Sequence, residues 1–231
     1  MNPQIPTLLS IAFIAITFIT LWLGYAAIKD KQQHRWIVLL SAVWLGLQAV
    51  LAWKGVYLDA TVLPPKIVLF GVLPALLLVI SPFTTRSGRI FLDSLSLERL
   101  TYLHIIRIPV ELVLYGLFIG QTIPEIMTFE GRNFDILAGI TAPIVAYFGI
   151  RKKKMSRGAL LVWNLAALGF LLNIVITAFL SAPSPLQRLA FEQPNVAILY
   201  FPLVWLPVFV VPVVLFSHLA AIRQLIFRIY P

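Results

Sequence analysis

The run IVLFGVLPALLLVI, Ile67 to Ile80, holds fourteen consecutive residues without one charged or hydrogen-bonding side chain. A strand of a membrane barrel would alternate apolar and polar residues over segments of about 10. No alternation is present. A helix satisfies its own backbone hydrogen bonds in hydrocarbon, so the run reads as a helix. With its flanks, residues 66–83, it approaches the roughly 20 apolar residues that a bilayer crossing needs.

The pattern recurs along the chain. Of 231 residues, 60% are hydrophobic and 12% charged; a soluble domain carries about 25% charged residues. Apolar blocks fall at about 6–28, 36–53, 66–83, 101–120, 134–150, 158–181 and 196–221, joined by short polar tracts. The expected fold is all-α, a seven-transmembrane-helix bundle in one domain over residues 1–231. The first block lacks a basic leader region and exceeds a signal-peptide core, so it is expected to be retained as a span. Cysteine is absent, which excludes disulfides and thiolate chemistry.

Charge gives the orientation. Lys29, Lys31, Arg35, Arg86, Arg89, Arg99, Arg151, Lys152, Lys153, Lys154, Arg157, Arg223 and Arg228 fall on one side, thirteen of the 18 basic residues. Lys54, Lys66, Arg132 and Arg188 make four on the other, and Arg107 lies within a span. The positive-inside rule then puts the N-terminus outside and the C-terminus in the cytoplasm, with the protein integral to the cell (inner) membrane. This bias also accounts for the net charge of +9, and no nucleic-acid motif accompanies it. RKKKMSR, residues 151–157, is expected to anchor the topology beside the lipid head groups. In the linker 84–100, Ser94 or Ser96 is expected to cap a helix running into the fourth span, with the linker's start on the membrane surface.

The fourth span, LTYLHIIRIPVELVLYGLFIG, contains His104, Arg107 and Glu111 at i, i+3 and i+7, one helical face, and Tyr115 extends it by a turn. An Arg or Glu near the bilayer centre costs about 2.5–3.5 kcal/mol on insertion scales, so each must be paired or face a cavity. Four residues apart, Arg107 and Glu111 can pair with each other; the alternative is a ligand, ion or proton site. Pro109 frees the carbonyl near position 105. Asn164 and His218 are placed at a depth similar to His104, giving a polar pocket with Glu111 at its floor. Asn173 is expected to satisfy a carbonyl freed by Pro202, Pro207 or Pro212, which recur every five residues in the last span and should bend or unwind it. His104 and His218 could ligate haem, but the neighbouring arginine disfavours a cation. Neither haem nor a metal is expected.

FEGRNFDIL, Phe129 to Leu137, and FEQPNVAIL, Phe191 to Leu199, share F-E-x-x-N-x-x-I-L before an apolar run. Asn133 and Asn195 suit helix N-caps, and Asp135 suits a first helical turn. Glu130 and Glu192 are expected to reach backbone donors or Arg132 and Arg188. The alternative is a duplicated two-helix unit whose glutamates converge on an outer pocket, rimmed by Glu130, Arg132, Asp135 and Glu192.

Seven spans with an outer N-terminus suggest rhodopsins or G-protein-coupled receptors, but no lysine lies in the last span to carry retinal, and the receptor signatures are missing. HIIRIPVELVLYGLF, TFEGRNFDILAGI and FEQPNVAILYFP resemble an uncharacterised family of bacterial seven-span membrane proteins. The resemblance covers most of the chain and implies membrane location but no activity. The leading functional expectation is binding or translocation of a small solute, ion or proton through the pocket along the fourth span, with the bilayer and that ligand as partners. The alternatives are a membrane-embedded enzyme on a lipid or apolar substrate, and a structural or sensory subunit. No nucleophile–base motif supports a catalytic residue.

Overall fold

The computed structural model describes residues 5–29 and 31–227, with backbone alone for 31–34. Two cations counted above, Arg228 and the side chain of Lys31, lie outside the described residues. Among the described residues every regular element is helical. Helix α1 spans Thr7–Ala26 and α2 Lys31–Trp53; a π-helical segment, Val68–Val72, runs into α3, Leu73–Thr84. Then come α4 (Arg86–Ser94), α5 (Leu97–Leu103), a 3₁₀ turn at His104–Ile106 and α6 (Arg107–Ile119). Helix α7 (Asp135–Ile144) continues as a π-helix to Arg151, α8 covers Arg157–Ser181, and a π segment at Leu206–Val210 leads into α9 (Val211–Ile226).

Five of these rods are long and apolar enough to cross a membrane: Thr7–Ala26, Arg35–Trp53, Leu97–Ile119, Arg157–Ser181 and Leu206–Ile226. The pair Val68–Thr84 and Arg86–Ser94, bent by 94°, makes a sixth if counted as one span. Large apolar side chains point outward, among them Leu8, Trp53 and Val162. Apolar exposure of that extent marks a surface made for a lipid environment.

The last apolar block departs furthest from its expected limits. Its helix begins at Leu206, ten residues later than position 196, and runs on to Ile226. Pro202 and Pro207 lack backbone donors. The stretch before the helix is held irregularly, with the Trp205 indole donating to the Leu45 carbonyl at 3.0 Å.

Three helix prolines are matched by side chains. Pro212 cannot donate to the Val208 carbonyl, and the Trp44 indole does so at 2.9 Å. Pro74 leaves the Phe70 carbonyl, which accepts from Gln48 Nε2 at 3.0 Å. Pro82 leaves the Leu78 carbonyl, which accepts from the Ser81 hydroxyl at 3.0 Å. In a segment apolar enough to cross a membrane, such side chains take the place that water has elsewhere.

The linker forms two short helices. Thr85 caps α4, accepting from Gly88 N at 3.0 Å, and Ser96 caps α5, accepting from Arg99 N at 3.4 Å. A forked ion pair, Arg223 to Asp93 at 2.8 and 2.9 Å, fastens α9 to α4.

Candidate functional site

The site starts from Pro109. Its ring and missing donor disfavour α-helix just upstream, and the chain tightens to the 3₁₀ turn His104–Ile106. In a 3₁₀ turn residues three apart eclipse, which sets His104 directly in line with Arg107. Both side chains point into the bundle; His104 is fully buried and Arg107 is 2% exposed.

Arg107 reaches three helices. Its Nη1 donates to the Ala167 carbonyl of α8 at 3.1 Å and lies 3.3 Å from Asp135 Oδ1 of α7. Its Nη2 is 3.1 Å from His218 Nε2 of α9. The expected Arg107–Glu111 pair is therefore corrected. The arginine's ion-pair partner is Asp135, which is buried at this level and not at an outer rim. The Asp135 oxygen sits at ion-pair distance but is not aligned for a hydrogen bond.

Hydrogen bonds fix the histidine tautomer. Asn164 Nδ2 donates to the Leu160 carbonyl at 3.0 Å, so Asn164 Oδ1 faces His218 Nδ1 at 3.1 Å and must accept from it. His218 then carries its proton on Nδ1, and Nε2 is free to accept from Arg107. The His104 ring stacks on His218 with centroids 3.9 Å apart and planes 18° off parallel. The Ser217 hydroxyl, 3.4 Å from His104 Nε2, spends its proton on the Leu100 carbonyl at 2.7 Å. His104 Nδ1 is buried without a partner. Trp163 stands edge-on to His104, centroids 5.7 Å apart.

Glu111 is held by the first FExxN stretch. Asn133 Nδ2 donates to Glu111 Oε1 and, at 3.0 Å, to the Met127 carbonyl. Asn133 Oδ1 accepts from Asp135 N at 3.0 Å, but the N-cap position of α7 is the next residue, Phe134, which has no side-chain cap. Glu111 Oε2 is buried and unpartnered.

Helix α7 thus begins level with Glu111, eight residues inside the end of α6, or about 12 Å. Gly139 permits this: a Cβ there would meet Ile108 Cγ1 at 2.9 Å and Ile108 N at 3.1 Å. The segment 120–134 folds back to fill the space above, burying Ile123, Met127 and Thr128. Irregular backbone at such depth is tolerated only inside protein. It also explains why the 134–150 block forms a short rod, ten residues of α-helix followed by seven of π-helix.

The second FExxN stretch works differently. Asn195 caps no α-helix; its N donates to the Ser181 carbonyl at 2.8 Å and its Nδ2 to Ala178 at 3.2 Å, tying the loop to the end of α8. Gln193 Nε2 donates to the Phe118 and Ile123 carbonyls, at 3.2 and 2.6 Å, and so clamps the folded-back segment.

His104, Arg107, Glu111, Asn164 and His218 are brought together, and Asp135 joins them. Asn173 stands apart, donating to the Arg132 carbonyl at 2.8 Å and not to a proline-freed carbonyl of the last helix. Tyr115 donates to Glu130 at 3.1 Å, so Glu130 is engaged by α6 and not by Arg132. Glu192 and the Arg132 side chain are exposed. Asn133, Ser217 and Trp163 were missed; the asparagine of the repeated motif was expected as a cap, not as a partner for Glu111.

Residues 64–226 match a family described as a domain of unknown function, DUF8737. The chain belongs to that family. No curated protein and no solved structure matches the chain. The matched region contains every member of the buried cluster and leaves out α1 and α2, so the charged core sits in the part that defines the family.

Proposed function

We propose that this protein takes up and passes a proton through the buried cluster on α6, as a multi-pass protein of a bacterial inner membrane. It crosses the bilayer seven times, with the N-terminus outside and the C-terminus in the cytoplasm. The thirteen-to-four division of basic residues supports that orientation. The rod at 135–151 counts as the seventh crossing, its outer part completed by the folded-back segment 120–134.

The observation that carries the reading is the charge balance of the cluster. One guanidinium, Arg107, faces two buried carboxylates, Asp135 and Glu111, while the tautomer of His218 makes that imidazole neutral. With both carboxylates ionised the cluster is one positive charge short, and an uncompensated buried charge costs several kcal/mol. His104 Nδ1 has no acceptor for a second N–H, so that ring is neutral too, and a proton on Glu111 closes the difference. Among the described residues no cluster of metal-ligating side chains offers a metal ion instead. Toward the outer face the next titratable groups are Tyr115 and Glu130, bonded to each other; toward the cytoplasm they are His218 and His104.

The competing reading is architectural, because the same contacts join α6, α7, α8 and α9. The two are separated by the purified protein in liposomes that enclose a pH-sensitive dye, under an imposed pH gradient. Proton entry that Glu111→Gln abolishes, with the fold intact, supports the proposal. Entry no faster than in empty liposomes, or equal entry in Glu111→Gln, sinks it.

A further inference from the structure

An apolar slot of about 220 Å³ lies between α2 and α3, floored by the last helix. Leu40 and Trp44 form one wall, Leu78 and Val79 the other, and Pro212 and Phe216 the floor. One end is shut. There Gln48 of α2 bonds to the Phe70 carbonyl, and Gly71 meets Val208 so closely that a Cβ would sit 2.6 Å from its Cγ1.

The other end opens toward the start of α2 and the elbow between α3 and α4. Phe91 of α4 stacks on Phe216, centroids 6.5 Å apart, which brings α4 to the mouth of the slot. Helix α4 turns Ile90 outward, 62% exposed, beside exposed Arg86 and Arg89, the pattern of a helix lying in the lipid head-group layer. Arg89 is engaged with the carbonyls of Phe83 and Thr84, and Arg223 with Asp93. Arg86, by contrast, has no ion pair or side-chain hydrogen bond among the described residues. On α2 the exposed Trp36, one turn before Leu40, stands at the same end of the slot.

We infer that the slot holds one acyl chain of an anionic phospholipid, whose phosphate rests on Arg86. The walls are apolar apart from Ser41, and their rims, Leu40 and Leu78, are 65% and 64% exposed, so a chain enters sideways from the bilayer. The closed end at Gln48 stops its tail. At the open end Arg86, unengaged among the described residues, supplies the charge that an anionic head group complements. The inference requires only that the chain lies in a bilayer, and it stands apart from proton uptake.

Native mass spectrometry of the full chain, released from detergent with phosphatidylglycerol or with phosphatidylcholine of the same acyl chains, tests it. The expected result is one retained lipid, with phosphatidylglycerol favoured about fivefold, the effect of one surface cation. Arg86→Gln should make the two lipids equal. Leu78→Trp, and from the opposite wall Leu40→Trp, should displace both lipids while leaving thermal stability unchanged. Equal retention of the two lipids by the unaltered chain overturns the inference, as does a lipid adduct indifferent to both tryptophans. A dimer that either tryptophan dissociates also overturns it, since a second copy would then occupy the slot.

Discussion

The Arg107 guanidinium lies 3.3 Å from the Asp135 carboxylate on another helix, while Glu111, one turn along its own helix, is held by Asn133. A pair within one helix would leave its neighbours free to move. A pair between α6 and α7 fixes the position of a helix that begins inside the bundle. Removing Asp135 leaves Arg107 buried without an ion-pair partner. Asp135→Leu, or Arg107→Met, should therefore destabilise the protein by about 3–5 kcal/mol, and the two together by much less. Thermal unfolding in detergent of the two single variants and the double variant gives the coupling directly.

Glu111→Gln should separate stability from function. The amide retains an oxygen to accept from Asn133 and, like the protonated carboxyl, carries no charge. Its melting temperature should equal or exceed that of the unaltered protein, while proton entry into liposomes falls to background. A carboxylic-acid infrared band present in the unaltered protein and missing in Glu111→Gln would identify the protonated group.

Gly139→Ala should harm both properties. The new methyl collides with Ile108, backbone included, so α7 must move away from α6. Overpacking of this kind costs about 1–3 kcal/mol. The displaced Asp135 should also weaken its ion pair with Arg107, read as a smaller coupling in the double-variant cycle.

The absence of cysteine makes topology simple to test. Lys154→Cys should react with a membrane-impermeant maleimide only after the membrane is opened. Arg188→Cys should react in intact cells. The reverse pattern would invert the orientation.

In the loop after α2, Asp59 accepts from Lys66 Nζ at 2.9 Å and from Thr61 at 2.7 and 3.2 Å. The hydrogen bond from Lys66, followed by those from Thr61, pushes its carboxyl down from 3.8 to about 2. A carboxyl lowered by folding adds stability that is complete above its ordinary value and is lost as the pH falls through about 2. Carboxyl-carbon NMR should show that midpoint, and Lys66→Ala should move it upward.

Much of the architecture was legible because hydrocarbon imposes it. Apolar blocks near the required length, interrupted by short charged tracts, leave a helix as the only way to satisfy the backbone. His104, Arg107 and Glu111 announced themselves by cost, being charged or titratable groups within an apolar run. The partner of Arg107 was not legible. Asp135 sits just beyond a polar loop in the sequence, where an acidic residue in a first helical turn suits any surface helix. Only the folding back of residues 120–134 carries it inward.

The FExxN repeat marks the same boundary. As sequence its two copies are nearly alike; in the fold Asn133 bonds to a buried carboxylate and Asn195 to the end of α8. Local chemistry gives both the capacity to satisfy backbone groups, but not the neighbours they meet. By itself the sequence determined the helical class, the apolar segments and that His104, Arg107 and Glu111 had to be buried or paired, since those follow from the energy of each residue in lipid. The tertiary structure alone decided which charges pair, how deep α7 begins and where α2 and α3 leave a slot. Those depend on contacts between segments far apart in the chain, where a glycine, a proline or a folded-back loop sets the distance.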